Sequence, residues 1–389
     1  MSDRPKYECM ATYHSICINQ NGTLDPCCQY LPQKVEPKIT TYDFTEYESY
    51  CNNTRRRMHD DATNGIRHSG CSKCWQEEDA GGLTLRNRLN NRYIGRSILA
   101  IDPNNPTDAN NPIYHVELRL GNYCNLKCVT CFPKSSSTVY AERVKYKEEF
   151  NKIGIYDSYP MPPKFWETEE FNEFSTKLLS DVMHINITGG EPFIIPEVVN
   201  FLDKMIHKKD SVILSFNTNL TVVPDKLRER LMEFTDIFIY ASIEGIGGLN
   251  DYLRFPSKWD DIQKNINMIK TDIPQAKLNI NHTFQHASVY SLPELIEYAH
   301  SQSMHVNLTS VQGYPRLTLD SVTPKHIEKF QEWAYNSTLL DNTQQEFILN
   351  MIKSSKFDPE LHKQYNEYMD LLDRIRGTNY QKTFGPYMS

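Results

Sequence analysis

The feature that most constrains the fold is a regular alternation of strand-like and helix-length segments between residues 114 and 312. Alternation of this kind predicts a parallel sheet with helices packed on its faces. Six units are too few to close an eight-stranded barrel, so we expect an open partial (β/α)6 TIM-like barrel with its functional face at the strand carboxyl ends. The predicted strands are Tyr114–Gly121, Met183–Gly190, Ser211–Asn219, Asp236–Gly245, Lys277–Gln285 and His305–Gln312.

The pattern also divides the 389-residue chain into three predicted regions. Residues 1–100 hold seven of the ten cysteines and form a cysteine-rich module, residues 112–315 form the partial barrel, and residues 320–389 form a helical extension. In that extension Asp358 and Pro359 are a helix start and Gly377 is a helix stop. The extension contains no cysteine, so it is expected to cover the barrel without binding metal through thiolates.

Composition excludes several classes of function. No apolar run approaches the ~20 residues of a membrane span, and no basic-then-apolar signal pattern opens the chain, so we expect a cytoplasmic protein without a membrane partner. A net charge of -7 argues against nucleic acid as a partner. The short basic run at residues 55–57 is interpreted as a solvated helix face.

The most informative motif is the run of three cysteines that follows the first predicted strand. Cys124, Cys128 and Cys131 have the spacing CxxxCxxC, and the next His or Cys after them is His184. A closed structural zinc or iron–sulfur site normally has four ligands. Three thiolates leave a four-site cluster one ligand short. The motif therefore predicts a metal cluster with an open position, filled by a group that is not protein.

A second motif ends the next predicted strand, in the sequence Gly189, Gly190, Glu191 and Pro192. Three cysteines after one strand and this motif after the next resemble the radical S-adenosylmethionine (SAM) superfamily. The resemblance implies that the cysteines hold a four-iron four-sulfur (4Fe-4S) cluster. It also implies that SAM chelates the fourth iron through its amino and carboxylate groups. The same resemblance supports the partial barrel.

The resemblance also assigns residues to SAM. Gly189 and Gly190 suit a close backbone approach to its amino group, and Glu191 is expected to hold that ammonium. Arg254 matches an arginine that meets the SAM carboxylate, for which a guanidinium is the strongest partner. The polar positions expected to face the ribose and methionyl end are Asn217, Asn219, Ser242 and Glu244.

One position departs from the superfamily pattern. The residue before the third cysteine is often an aromatic that packs on adenine, but here it is Thr130. Phe132 is expected to supply that surface from the other side of Cys131. His282 and His286, at the end of the fifth predicted strand, are interpreted as structural histidines.

The N-terminal cysteines form a second pattern. A strand, a turn at Asn21-Gly22 and a second strand ending on cysteine are predicted over residues 19–28, and a CxxC motif follows later in the module. Together they resemble the twitch module, the shortened SPASM domain, which carries an auxiliary iron–sulfur cluster. The ligand set that the resemblance implies is Cys9, Cys27, Cys71 and Cys74, with Cys28 as the substitute for Cys27.

Two cysteines lie outside the implied ligand set, and zinc is an alternative metal for that set. Cys17 and Cys51 are interpreted as unpaired core thiols. A structural zinc ion is the alternative to the auxiliary cluster, because the same four thiolates can hold zinc tetrahedrally. Zinc in both cysteine sites corresponds to a noncatalytic scaffold.

The activity that the resemblance implies is reductive cleavage of SAM to a 5′-deoxyadenosyl radical, which abstracts a hydrogen atom from a substrate. With an auxiliary cluster present, we expect an oxidoreductase or maturase-like enzyme that oxidatively modifies a peptide or protein side chain. A dehydrogenase of a small sugar or aminocyclitol-like molecule is the alternative. A reductase, or a flavodoxin or ferredoxin, is expected to donate electrons.

Overall fold

A computed structural model describes residues 6–32, 44–79, 84–97, 104–156 and 164–388. The chain folds as two compact units, each built from separated segments. The first unit comprises Met1–Gly121, Pro162–Phe216 and Glu233–Asp236. The second comprises Asn122–Met161, Asn217–Met232 and Ile237–Ser389. The predicted domain bounds at residues 100, 112, 315 and 320 stay a prediction.

Eight strands and seventeen α-helices make up the described chain. The strands are β1 Ser15–Ile18, β2 Leu24–Asp25, β3 His115–Arg119, β4 His184–Thr188, β5 Ile213–Thr218, β6 Asp236–Ser242, β7 Ala276–Phe284 and β8 Val306–Ser310. The helices are α1 Ala11–His14, α2 Phe44–Tyr50, α3 Arg56–Thr63, α4 Ser72–Asp79, α5 Leu85–Ser97, α6 Ser137–Lys145, α7 Lys147–Lys152, α8 Glu169–Leu178, α9 Glu197–Met205, α10 Asp225–Leu231, α11 Gly247–Leu253, α12 Trp259–Asp272, α13 Ser288–Ser301, α14 Pro324–Asn336, α15 Asn342–Ser354, α16 Pro359–Arg376 and α17 Tyr380–Met388.

The first unit contains a mostly parallel sheet with the strand order β2-β1-β3-β4-β5. Only the hairpin pair β1 and β2 is antiparallel among these described strands. Val116 of β3 pairs with Ile185 of β4, which pairs with Leu214 of β5, and all three side chains are almost fully buried. Since their neighbours in each strand are polar or half-buried, one face of the sheet is apolar and the other carries the polar residues.

The second unit repeats this arrangement with three parallel strands in the order β6-β7-β8. Ala241, Ile280 and Val306 are in register across the three strands and are buried. The residues that alternate with them include Ser242, Asn281 and Asn307. The face opposite the apolar core is therefore lined by hydroxyls and carboxamides.

The α/β class and the parallel pairing confirm the coarse fold prediction. Five of the six predicted runs contain one strand each, and the sixth, Lys277–Gln285, covers all of β7 except its first residue, Ala276. The closure of these strands into a partial barrel stays a prediction. The helix predicted in the C-terminal region is present as α16, with Asp358 accepting from the amides of Glu360 and Leu361 and with Gly377 left-handed at φ 67°.

Two N-terminal expectations need correction. The hairpin is present, but its strands are Ser15–Ile18 and Leu24–Asp25, so the second strand ends before Cys27. Strand β1 also pairs in parallel with β3, which adds a strand that the six-strand count omitted. Its four residues are all buried and show no alternation, so the sequence pattern did not distinguish it from the adjacent turn.

The basic run at residues 55–57 was wrongly interpreted as a solvated face. Arg55 is fully buried at the end of a π-helical turn, Cys51–Arg55. Its guanidinium donates to the carbonyls of Tyr13 and Ser15 and lies 5.5 Å from the ring centroid of Tyr50. The arginine therefore ties the helical segment to the start of β1.

Within the described ranges, no helix is both long enough and apolar enough to cross a membrane.

Candidate functional site

The three cysteines of the predicted cluster motif lie together in one loop of the second unit. Cys124 and Cys128 are buried, and Cys131 packs against the same small apolar cluster. Burial raises the pKa of the Cys131 thiol, and the sulfurs of Cys128 and Cys124 raise it further. Three thiolates this close repel one another, so a shared metal cluster would stabilise them.

Backbone hydrogen bonds fix the path of this cysteine loop. The amide of Lys127 donates to the carbonyl of Phe255 at 2.6 Å, and the amide of Val129 donates to the carbonyl of Leu253 at 2.8 Å. At the far end of the loop, the hydroxyl of Ser136 caps α6 and donates to a carbonyl inside the loop. The polypeptide itself therefore holds the loop in shape.

A buried ion pair lies beside the cysteine loop. Nη1 of Arg254 donates to Oε1 of Glu244 at 3.2 Å, and the two side chains are 11% and 2% exposed. Burial opposes the charged guanidinium, but Cys128, Glu244 and the other two loop cysteines together raise the pKa of Arg254 above its ordinary value. The buried Nε has no hydrogen-bond acceptor among the described residues. This nitrogen is a donor suited to an incoming carboxylate.

Glu244 is held from several sides. Its Oε2 accepts from the amide of Thr283 at 2.9 Å and lies 3.4 Å from Nδ1 of His282. The His282 ring also contacts the carbonyl of Ile243 through Nδ1 and the hydroxyl of Ser288 through Nε2. Burial lowers the pKa of His282, which favours the neutral ring, while the nearby carboxylate of Glu244 acts in the opposite direction.

The other histidine of this pair is also packed into the structure. The ring of His286 stacks on Tyr365 with 3.5 Å between ring centroids, and its Nδ1 contacts the hydroxyl of Ser321 at 2.7 Å. Burial lowers the pKa of His286 well below its ordinary value. Both rings are therefore buried in hydrogen-bonded contacts.

Asn219 connects the cysteine loop to the segment that follows β5. Its Nδ2 donates to Oδ1 of Asn125 at 2.9 Å, and its Oδ1 accepts from both the amide and the hydroxyl of Thr221. Between them, buried Leu220 has a left-handed φ of 56°, a conformation that costs energy for a residue with a side chain. The tight turn and the amide pair together fix this side of the loop.

A row of carboxamides crosses the polar face of the second unit. Nδ2 of Asn281 donates to Oδ1 of Asn217 at 2.8 Å, and Nδ2 of Asn307 donates to Oδ1 of Asn281 at 3.1 Å. Ser242 is in register with Asn281 on the neighbouring strand. The predicted contacts Asn217 and Ser242 thus belong to an uncharged, hydrogen-bonding surface.

Phe132 packs on another aromatic ring. It stacks on Tyr314 with 4.5 Å between centroids and 19° between planes. A Cβ atom at Gly313 would come within 2.5 Å of the Phe132 ring, so this close approach requires glycine. One face of the predicted adenine surface is therefore covered by Tyr314, while Thr130 is half-buried.

The glycine motif lies in the first unit, after β4. Gly189 has φ 127°, and a Cβ atom there would lie 3.0 Å from the carbonyl oxygen of Gly121. The amide of Gly190 donates to that same carbonyl at 3.1 Å. Glu191 is 2% exposed and accepts from the amide of Phe193 at 3.0 Å, so it caps the short helical turn that follows. The motif is rigid, as a predicted ligand-contacting turn requires.

Four cysteines of the first unit line one small cavity of about 10 Å³. They are the predicted auxiliary ligands Cys9, Cys27, Cys71 and Cys74. Burial raises the pKa of Cys9 to about 12, and the sulfur of Cys74 contributes to this rise. The N-terminal segment, the turn after the hairpin and the start of α4 thus place their thiols around one cavity.

An ion pair also lies beside this cavity. Nε and Nη2 of Arg86 donate to the two carboxylate oxygens of Glu78 at 2.8 and 2.6 Å. Arg86 lines the cavity, and the sulfurs of Cys9 and Cys74 help to raise its pKa against the effect of burial. The guanidinium is therefore placed to neutralise negative charge on the cysteines.

The remaining cysteines of the first unit lie elsewhere. Cys28 does not line the four-cysteine cavity; burial raises its pKa, and the carboxylate of Glu117 raises it further through a hydrogen bond and charge. Cys17 is fully buried, and burial and the carboxylate of Glu117 both raise the pKa of its thiol. Cys51 is buried, and burial raises the pKa of its thiol while the charge of Arg55 lowers it.

The donor chemistry of both sites suits iron–sulfur clusters and zinc alike, because thiolates are the preferred ligands of each. Throughout the ranges that the structure describes, no group of three or more His, Cys, Asp or Glu side chains stands in a ready metal-binding arrangement. The two sites differ in the number of sulfur donors, with three in the cysteine loop and four around the cavity.

Sequence reasoning missed several residues that build these sites. Asn125 and Asn281 hold predicted site residues by side-chain hydrogen bonds, and Arg86 lines the four-cysteine cavity. Asn125 stands inside the cysteine motif, which was a usable signal. The other two gave none, because asparagine in a strand and arginine in a helix are ordinary residues and neither stands inside a cysteine motif.

No protein-family model matches the chain, and no curated protein matches it. Several solved structures match the chain at low sequence identity. One is anSMEcpe with bound AdoMet, with 16% identity over 58% of this chain and 59% of that chain and a TM-score of 0.41. The match spans less than two thirds of either chain.

Two further solved structures show the range of these matches. SuiB of Streptococcus suis bound to the precursor peptide SuiA is 14% identical over 95% of this chain and 71% of that chain, with a TM-score of 0.38. TYW1 with a lysine-pyruvate adduct bound is 16% identical over 58% of this chain and 72% of that chain, with a TM-score of 0.32.

Proposed function

We propose that the protein is a radical SAM enzyme. Cys124, Cys128 and Cys131 hold a 4Fe-4S cluster, and SAM occupies the fourth iron. The observation that carries this proposal is Arg254, whose guanidinium has its pKa raised by all three cysteine sulfurs and by Glu244, and whose buried Nε has no acceptor among the described residues. Structural zinc binding does not explain a buried donor suited to a carboxylate beside three thiolates. The cluster and SAM would supply a 5′-deoxyadenosyl radical that abstracts a substrate hydrogen atom.

The protein residues in this proposal bind and orient SAM. Arg254 donates from Nε to the SAM carboxylate, while Glu244 keeps the guanidinium in place. The rigid turn at Gly189 and Gly190 presents backbone to the amino group, and Glu191 balances its positive charge. The ring of Phe132, held by Tyr314, packs against adenine. Asn217, Asn219 and Ser242 offer uncharged hydrogen bonds to the ribose and methionyl end.

The same proposal gives the N-terminal cysteines a second cluster. Cys9, Cys27, Cys71 and Cys74 are its ligands, because all four line one cavity and Cys28 does not. Arg86 offsets the negative charge of the thiolates. A cluster there would supply a second electron site, which suits net oxidation of a substrate. A flavodoxin or ferredoxin type of reductant completes the set of partners.

We further propose a peptide or protein side chain as the substrate. Beside the residues assigned to SAM, the polar face of the second unit carries further carboxamides, those of Asn281 and Asn307. Such groups pair well with the neutral amides of a peptide backbone. An aminocyclitol is cationic, and the row offers it no carboxylate.

The test is anaerobic loading of the chain with iron and sulfide, followed by assays of iron content and of 5′-deoxyadenosine formed from SAM. We expect about eight iron atoms per chain, and loss of SAM cleavage in Cys128→Ala with about four iron atoms retained. Cys51→Ala is the matched control, since this buried cysteine lies outside both sets. Stoichiometric zinc with no SAM cleavage would instead establish a noncatalytic scaffold. Deuterium transfer from labelled peptides, but not from labelled aminocyclitols, into 5′-deoxyadenosine identifies the substrate class.

A further inference from the structure

The C-terminal helix α16 reaches the cysteine loop directly. The hydroxyl of Tyr368 donates to the carbonyl of Val129 at 2.9 Å, and both residues are buried. Val129 follows Cys128 in the chain, within the CxxC half of the motif. The contact therefore joins a residue of the C-terminal region to the backbone between two predicted cluster ligands.

A second contact joins α16 to the helix that follows the loop. Nε and Nη2 of Arg376 donate to the two carboxylate oxygens of Glu142 on α6 at 3.0 and 2.6 Å, and the side chains are 3% and 2% exposed. Oε1 of Glu142 also lies 3.6 Å from Nζ of Lys127, inside the loop. The ion pair between Arg376 and Glu142 thus contacts the cysteine loop through Lys127 and also contacts α6, the helix that follows the loop.

Stability alone is a poor explanation for these contacts. A buried ion pair contributes little net stability compared with apolar residues of similar size, because both charges lose their water. The same helix already packs through buried apolar side chains, among them Met369, Leu371 and Leu372. The hydroxyl of Tyr368 and the ion pair of Arg376 instead orient their partners. Each hydrogen bond fixes the position of one atom of the cysteine loop or of α6.

We propose that Tyr368, Arg376 and Glu142 are positioning residues that set the path of the cysteine loop. The C-terminal helix is then part of the cluster-binding apparatus and not only a cover. This inference rests on the proposed function for the identity of the bound cluster, but the loop contacts exist in the protein without it. The two ideas can therefore fail separately.

The first experiment measures amide hydrogen exchange in the loop, residues 122–136, in the full chain before iron is added. Tyr368→Phe removes only the hydroxyl, which donates to Val129 and also accepts from Nη2 of Arg143 at 3.3 Å. We expect exchange in the loop to become at least about fivefold faster, as for the loss of the buried hydrogen bond to Val129. Tyr365→Phe is the matched control: it lies one turn earlier, is buried, and its hydroxyl bonds to Tyr380 instead. Equal loop exchange in the Tyr368→Phe variant and the unchanged chain, or the same acceleration in the control, overturns the inference.

The second experiment measures the reduction potential of the loop cluster. Cys71→Ala is introduced first, so that the auxiliary site no longer contributes a signal. Arg376→Gln then removes a positive charge that acts on Cys128, and we expect a more negative potential at unchanged iron content, with recovery in Arg376→Lys. An unshifted potential contradicts a positioning role for Arg376. If the parent chain binds no iron at this loop, the proposed function fails, while the exchange result still decides the loop contacts.

Discussion

The two cysteine sites differ in how the chain assembles them. The site in the second unit takes three sulfurs from a single loop whose backbone is fixed by local hydrogen bonds. The site in the first unit gathers four sulfurs from segments that are distant in sequence, and these meet only through the packing of the N-terminal hairpin and helices. The comparison teaches that a local site depends on its loop, whereas a distributed site depends on the whole fold around it.

Each site nevertheless has the same companion, an arginine paired with a glutamate. Arg254 pairs with Glu244 through a single hydrogen bond and keeps one nitrogen without an acceptor among the described residues. Arg86 pairs with Glu78 through two hydrogen bonds. The first arrangement suits a site that receives a ligand, and the second suits a site that the protein closes by itself.

The largest expected effect breaks the distributed site. Cys27→Ser removes one of the four sulfurs at the cavity, so iron should fall from about eight to about four atoms per chain while SAM cleavage persists. Cys28→Ser is the matched control, because the neighbouring thiol lies outside the cavity and should leave iron unchanged. Iron assays and 5′-deoxyadenosine analysis measure both. Loss of iron in the Cys28 variant alone would reverse the ligand assignment.

The next largest effect compares the two arginines. Arg254→Met leaves Glu244 buried and unpaired, and we expect it to lower the free energy of unfolding by about 3–5 kcal/mol. Arg86→Met should cost less, about 1–2 kcal/mol, because Glu78 is 18% exposed and water replaces part of the lost contact. Urea denaturation of the iron-free chains measures both. Equal losses would mean that the two pairs are energetically alike.

Acid should affect the first unit through His115 of β3. Burial lowers the pKa of His115 to about 4, below the ~6.5 of an unfolded chain, so the unfolded state binds the proton first as pH falls. The unfolding free energy therefore declines between about pH 6.5 and 4, and by pH 5 this histidine should account for about 2 kcal/mol.

Replacing the ring tests this directly. His115→Phe should lose less stability than the unchanged chain between pH 7 and pH 5, as followed by urea denaturation. His207→Phe, at an exposed position, is the control and should keep the original slope. A His115 variant with the original pH dependence would show that other groups control the acid response.

The smallest expected effect concerns the glycine turn of the first unit. Gly189→Ala places a Cβ atom 3.0 Å from the Gly121 carbonyl oxygen at φ 127°, so we expect a loss of roughly 1–2 kcal/mol. Gly65→Ala is the control, because it also has a positive φ, of 70°, but no atom within 4 Å of the added Cβ. Thermal unfolding compares the two. A loss no greater in the Gly189 variant would remove the close approach as the reason for glycine there.

Local sequence patterns predicted the local parts of this molecule. Alternating apolar residues predicted β3 to β8, and Asp358 with Gly377 predicted the ends of α16, because these signals act over a few residues. The first strand of the predicted hairpin was placed a few residues too late, and its parallel pairing with β3 was not predicted, because β3 lies about a hundred residues away in the chain and no nearby pattern records that pairing. Buried Arg55 was misread for the same reason, since its acceptors belong to another segment.

The sites follow the same rule. Spacing alone identified the cysteine loop, while the contacts of Tyr368 and Arg376 with that region required the fold. The four-cysteine set came from a resemblance, and the structure adds its common cavity and Arg86. Hydrogen bonds between side chains that are distant in sequence, such as Asn217 with Asn281, cannot be predicted from the spacing or periodicity of residues.

Strand β1 lies between β2 and β3, so the N-terminal cysteine region shares backbone hydrogen bonds with the sheet of the first unit. Deleting that region would leave the amides and carbonyls of β3 along an unprotected edge, which is the kind of surface that recruits strands from other molecules. The region is therefore not an independent module that can be removed from this protein or moved into another. Any such exchange has to provide a replacement strand.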